Sequence, residues 1–420
     1  MLRDSVRLLG TLMKKIQKYT FLLMSILLPT SALSLPVVPL NENQSLECYA
    51  HSIDFQVGER AQVTPREELL EFRAIPNDDP LKLSFEQLVE EKIFWWTTVM
   101  MREPQKTRFM ARNIYEQVVE LDAANAATEI QYNPNASTPP NYLVHQDILI
   151  SLAYAVLTAK ESNALTPEEI EYLIGFLQTR TSIQGFMNGD GKFSNSSVDN
   201  IYTAETCNME NIRDLDRFLS GLGECQNITL GRQHLRSVIG FITGDVEEQQ
   251  RGRLIYEFAI NDLMDDGALY REAVRGAWSW SYYSHALNHL MAIGSLLERN
   301  GGTIFEYESP ANQTIHDAVR FYIDSLNNPM NPSLMHKYAV ANYGIGDGRE
   351  LANEPLSLVR LERVLDRFMY YAEWAALYRS HFPNHENTQL INNLDTGSRM
   401  PQSSHHTGFN PWCTMSGGLD

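Results

Sequence analysis

The sequence predicts an all-α fold of stacked helical hairpins, wound into a solenoid or toroid. Apolar residues recur at helical spacing in segment after segment, alternating strand patterns are scarce, and no heptad seam runs along the helices. A long series of helices of that kind buries its apolar faces by stacking hairpin on hairpin. With 420 residues, 43% hydrophobic and 20% charged, the chain can enclose a large core.

The elements follow in order. Lys14, Lys15 and Lys18 precede the apolar run YTFLLMSILLPTSALS, which is short for a bilayer span and ends in small residues. That pattern predicts a secretory signal peptide over 1–34 and a periplasmic or secreted protein, with Met13 as an alternative start. Residues 35–60 form an N-terminal extension, 61–395 the helical domain and 396–420 a C-terminal tail. TPRE at Thr64, SFEQ at Ser84 and TPEE at Thr166 each place a hydroxyl three residues before Glu or Gln and open a helix. Further helices are expected over 107–125, 145–160, 211–221, 231–243, 246–263, 282–299, 312–327 and 356–380. The stretches 181–200 and 329–355 are long, irregular and rich in Gly, Asn and Ser, as functional loops often are. His405 and His406 in the tail read as solvated side chains.

Charge narrows the partners. Residues 1–34 carry five basic and one acidic side chain, so their removal takes the net charge from −18 to −22. Nucleic acid is excluded as a partner on that charge. A polyanion needs arginines gathered in one cleft, with Arg232, Arg236, Arg251, Arg253, Arg271 and Arg275 as the candidates. No second apolar segment is long enough for stable membrane insertion, and a soluble monomer is expected. Cys48, Cys207, Cys225 and Cys413 fit no zinc spacing; among three possible pairings, Cys207 with Cys225 and Cys48 with Cys413 are preferred. No metal or cofactor is called for.

The stretch 265–294, DDGALYREAVRGAWSWSYYSHALNHLMAIG, crowds Trp, Tyr, Arg and His before an apolar run. Were residues from 271 onward one helix, Arg271, Arg275, Trp278, Tyr282, His285 and His289 would form one stripe. The other reading is a loop followed by an amphipathic helix from about Tyr282, with Leu287, Leu290, Met291 and Gly294 inward and the aromatics in the core.

The pattern Asp266-Gly267, Leu269, Glu272, Arg275-Gly276, Tyr282 and Ala286-Leu287, followed by ERNGGTIFEY, resembles the alginate lyase family of the mannuronate-cleaving type. The likeness extends to IHDAVRFYIDSL and AEWAALYRSHFPNHENTQLI, and is clearest from about Gly223 to Ile391. It implies an incomplete α/α toroid over 61–395 and a polysaccharide lyase acting on an acidic, uronate-containing polysaccharide by β-elimination. A catalytic tyrosine follows an Arg-Gly by seven residues in that family, a separation that Arg275 and Tyr282 match. The resemblance makes Tyr282 base and then acid. Arg275 favours its phenolate, and Arg275 and Asn227 neutralise the C5 carboxylate of the sugar. His285, Arg232, Arg271, Trp278 and Tyr283 are the candidate substrate-binding residues.

Two departures stand out. The family's Asn-Asn-His segment falls on Gln226-Asn227-Ile228, leaving His234, His285 or Arg232 to replace the missing histidine. Ser281 and Tyr283 stand where the family flanks its tyrosine with histidines. A non-catalytic polysaccharide-binding toroid is therefore the second reading. A glycoside hydrolase using carboxylates among Asp262, Asp265, Asp266 and Glu272 is the third.

Overall fold

The computed structural model describes residues 62–73, 80–124, 142–182, 227–274, 276, 279–331, 333–341, 372–394, 407 and 409–411. It separates residues 1–35 from a larger unit, 36–420, to which every described residue belongs. The expected helix over 211–221, residues 356–371 of the expected last helix, the four cysteines and His405-His406 lie outside the described residues, as do the signal peptide, 183–200 of the first long loop and 342–355 of the second; within that second stretch, expected to be irregular, 335–341 form a helix.

Among the described residues the unit is helical, with no strand and one isolated bridge, Leu263 to Leu269. We number the helices α1 (Arg66–Arg73), α2 (Pro80–Arg102), α3 (Thr107–Ala123), α4 (Tyr142–Glu161), α5 (Pro167–Ser182), α6 (Asn227–Thr243) and α7 (Val246–Asn261). The series continues with α8 (Tyr270–Ala273), α9 (Ser279–Arg299), α10 (Ile315–Asn327), α11 (Met335–Ala341), α12 (Glu373–His381) and α13 (Glu386–Asn392). None is long and apolar enough to cross a membrane.

Helices α2, α4, α6, α9 and α12 pack in succession, each on the next. They are buried nearly all round: residues 91–101 of α2, 146–159 of α4 and fifteen residues of α9 are shielded. A helix apolar on all faces belongs inside a second layer. That layer is supplied by the amphipathic partners. Helix α3 buries the stripe Met110, Ala111, Ile114, Gln117, Val118 and Leu121, and α10 buries Ile315, Ala318, Val319, Tyr322, Ile323 and Leu326. Inner helices paired with outer ones in a series of hairpins make the expected α/α toroid.

Thr407 and Asn410 join the ring's first and last inner helices. Glu373 at the start of α12 is fully buried and accepts hydrogen bonds from the Thr407 backbone N–H (3.1 Å) and hydroxyl (3.0 Å). Asn410 N–H donates to Thr98 Oγ1 of α2 at 2.9 Å, and Phe409 packs edge-on against Tyr154 of α4.

The expected helix starts hold at α1 and α5 and need correction at α2 and α9. At Thr166 the reciprocal box forms, with Thr166 N–H donating to Glu169 and the Glu169 N–H to the Thr166 hydroxyl. Thr64 is instead buried, and its hydroxyl accepts from Lys92 Nζ at 2.8 Å. Helix α2 begins at Pro80 rather than after Ser84, since proline is well suited to a first turn, where its missing N–H costs nothing. The single stripe from Arg271 does not form. Helix α8 ends at Ala273, Gly276 adopts φ of 56°, and α9 starts at Ser279. The loop-and-helix alternative is the one adopted, with Leu287, Leu290, Met291 and Gly294 all buried.

Candidate functional site

Two of the site candidates stand where α6 and α9 begin. Asn227 is the first residue of α6 and is 2% exposed; its N–H donates to Glu272 Oε1 at 2.6 Å. Tyr282 stands one turn into α9, half-buried, with its ring edge-on to His285 at 6.0 Å. Arg232 is half-buried on α6, the helix packed against α9. Arg275 and Trp278 lie outside the described residues.

The turn between α8 and α9 is held from several sides. Ser279 Oγ donates to the carbonyls of Ala273 (2.8 Å) and Gly276 (2.9 Å), which fixes the approach to Tyr282. Gly276 supplies the left-handed conformation that any residue with a Cβ adopts only with strain. Arg271 and Asp262 form an ion pair at 2.6 Å with both side chains largely buried. Burial pushes the Asp262 carboxyl upward, and the guanidinium opposes that shift. This pairing makes Arg271 an anchor of α8 on the end of α7, rather than the substrate contact expected from the sequence.

Tyr283 differs in the same way. It is fully buried, its ring stacks on Tyr322 at 5.0 Å, and its hydroxyl accepts from Leu269 N–H and lies against the Gly267 and Ala318 carbonyls. Consecutive residues of a helix point about 100° apart. With Tyr282 at the open face, Tyr283 turns into the core.

Of the three stand-ins for the missing histidine, His234 is inaccessible. It is fully buried, its Nε2 lies 2.8 Å from the Tyr154 hydroxyl, and its Nδ1 is 3.4 Å from that of His289. Burial pulls its pKa down to about 3, so the ring is neutral. His285 and Arg232, both half-buried, remain. Four of the candidate arginines are ion-paired: Arg236 and Arg251 with Glu248, Arg253 with Glu257 and Arg271 with Asp262.

Residues 221–331 match the family model described as Alginate lyase. The matched segment runs from just before α6 to just after α10 and contains Asn227, Arg232, Arg271, Arg275, Trp278, Tyr282, Tyr283 and His285. A histidine-to-alanine variant of alginate lyase A1-III, complexed with a tetrasaccharide, is 17% identical; the alignment covers 90% of this chain and 96% of that one, with a TM-score of 0.57. Alginate lyase A1-III from Sphingomonas species A1 is 16% identical over 89% of this chain and 96% of its own, with a TM-score of 0.53. At such identities the likeness establishes the fold, an alginate lyase toroid. No curated protein matches the chain.

Proposed function

We propose that the chain is an exported polysaccharide lyase that cleaves a uronic-acid polymer of the alginate or polymannuronate kind by β-elimination. The observation that carries the reading is the placement of Tyr282: half-buried at the start of α9, beside His285, inside the segment that matches the alginate lyase model. Asn227 heads the helix packed against it.

The chemistry assigns each residue a task. Neutralising the C5 carboxylate acidifies the C5 proton, and Arg275 and Asn227 take that part. Tyr282 removes the proton and returns it to the departing glycosidic oxygen, which in the mannuronate geometry lies on the same face of the sugar. His285 or Arg232 replaces the histidine lost at Ile228. The test is ultraviolet absorbance with a panel of polyuronates, because elimination leaves a conjugated double bond and hydrolysis does not. Tyr282→Phe is expected to cut the rise with the active polymer by about 10²–10⁴-fold while remaining folded. Normal turnover by that variant refutes the assignment.

A non-catalytic, polysaccharide-binding toroid is the second reading, motivated by Ile228 in place of the family's histidine and by Ser281 and Tyr283 beside Tyr282. It predicts saturable oligouronate binding with no unsaturated product. Three of the four carboxylates named for the hydrolase reading have structural partners. Asp262 pairs with Arg271, Asp266 accepts from Lys337 and Tyr338, and Glu272 holds the Asn227 amide.

A further inference from the structure

We propose that Glu272 is a positioning residue that holds Asn227, and with it the start of α6, against the turn leading to Tyr282. The inference rests on the lyase reading and deepens it.

Glu272 is 2% exposed and lies on a helix of a single turn. A buried carboxylate is costly unless hydrogen-bonded. Its Oε1 accepts the Asn227 N–H at 2.6 Å, and that amide is one of the first four of α6, which have no acceptor within the helix. Because α6 is 17 residues long, the positive end of its dipole meets the carboxylate as well. The Asn227 side-chain oxygen is buried and has no hydrogen-bond partner among the described residues. Glu272 thus grips Asn227 by its backbone and leaves the carboxamide for other work.

The grip is useful because α8 is itself fixed. Arg271 ties it to Asp262 at the end of α7, Tyr283 of α9 takes the Leu269 N–H at 3.1 Å, and Ser279 of α9 holds the Ala273 carbonyl. One turn of helix therefore sets the heads of α6 and α9, and so Asn227 and Tyr282, in a common frame. Glu272 performs no proton transfer in this account; its contribution is distance.

Two substitutions separate holding from charge. Glu272→Gln keeps an oxygen for the Asn227 N–H, whereas Glu272→Ala removes it. With the polyuronate that the wild type cleaves, Glu272→Ala is expected to lose about 10–100-fold in kcat with KM changed by less than about threefold, the scale on which misplacement of about an ångström acts. Glu272→Gln should recover most of that loss, with an unshifted pH profile. Amide hydrogen exchange over 227–230 should quicken in the Ala variant and stay near wild type in the Gln variant. Equal losses in both variants, or full activity in the Ala variant, overturn the inference. If the wild type forms no unsaturated product, the lyase reading fails and exchange alone decides: faster exchange in Ala but not in Gln upholds the grip, and unchanged exchange in Ala overturns it.

Discussion

Single atoms decide how α9 meets its neighbours. A methyl group at Gly294 would sit 2.2 Å from Phe305 Cε1, and that ring is held by Tyr256, His381 and Phe382. Gly294→Ala should therefore destabilise the fold by about 1–3 kcal/mol despite the better helix propensity of alanine, as denaturant unfolding would show. Asn227 and Tyr282 were singled out by the family resemblance, Tyr282 through its seven-residue separation from Arg275. The roles of Tyr283, Arg271 and His234 were not legible in the sequence. Whether an aromatic or a charged side chain faces a cleft or a core depends on its angular place on a helix relative to partners far off in sequence: Tyr322 for Tyr283, Asp262 for Arg271, Tyr154 for His234. Composition is the same either way.

Helix ends carry much of the local information. At α10 the sequence suggested a start at 312, but the helix begins at Ile315, after a Thr314–Asp317 box in which each side chain serves the other's backbone. Thr314→Ala removes one half of that box and should cost about 1 kcal/mol, measured as a lower midpoint in denaturant with an unchanged slope. Helical periods located α3, α4, α5, α6 and α7 to within a few residues, since an apolar stripe extends over many positions and tolerates a misplaced end. The break between α8 and α9 was harder to see. No proline marks it; the turn depends on Gly276 in a left-handed conformation and on one serine hydroxyl taking two carbonyls, features that leave the hydrophobic pattern almost unchanged.

At the scale of the whole molecule, one fully buried histidine and two half-buried ones among the described residues shape the response to acid. Burial lowers His234 to about 3, and His316 and His381 to about 4, against an ordinary value of 6.5. His316 stacks on His385 at 4.1 Å and shares the Tyr378 hydroxyl with it, while His381 lies against Ser295 and Phe305. Because the folded state resists protons that the unfolded chain accepts, stability should be flat above about pH 6.5 and fall as pH drops toward 4. Thermal midpoints between pH 7 and 4.5 would measure the slope, and His381→Gln should flatten it. The all-helical, hairpin-stacked class was legible from periodicity alone; how the ring is closed was not. Its closure relies on polar bonds made by Thr407 and Asn410, which a sequence reading assigns to a tail. Asn410 and Thr98 are 312 positions apart, so a growing chain exposes the α2 hydroxyl long before its donor has been synthesised. The bond therefore closes a loop of more than three hundred residues, a contact whose chain-entropy cost must be met before it can form, and such long-range contacts slow folding.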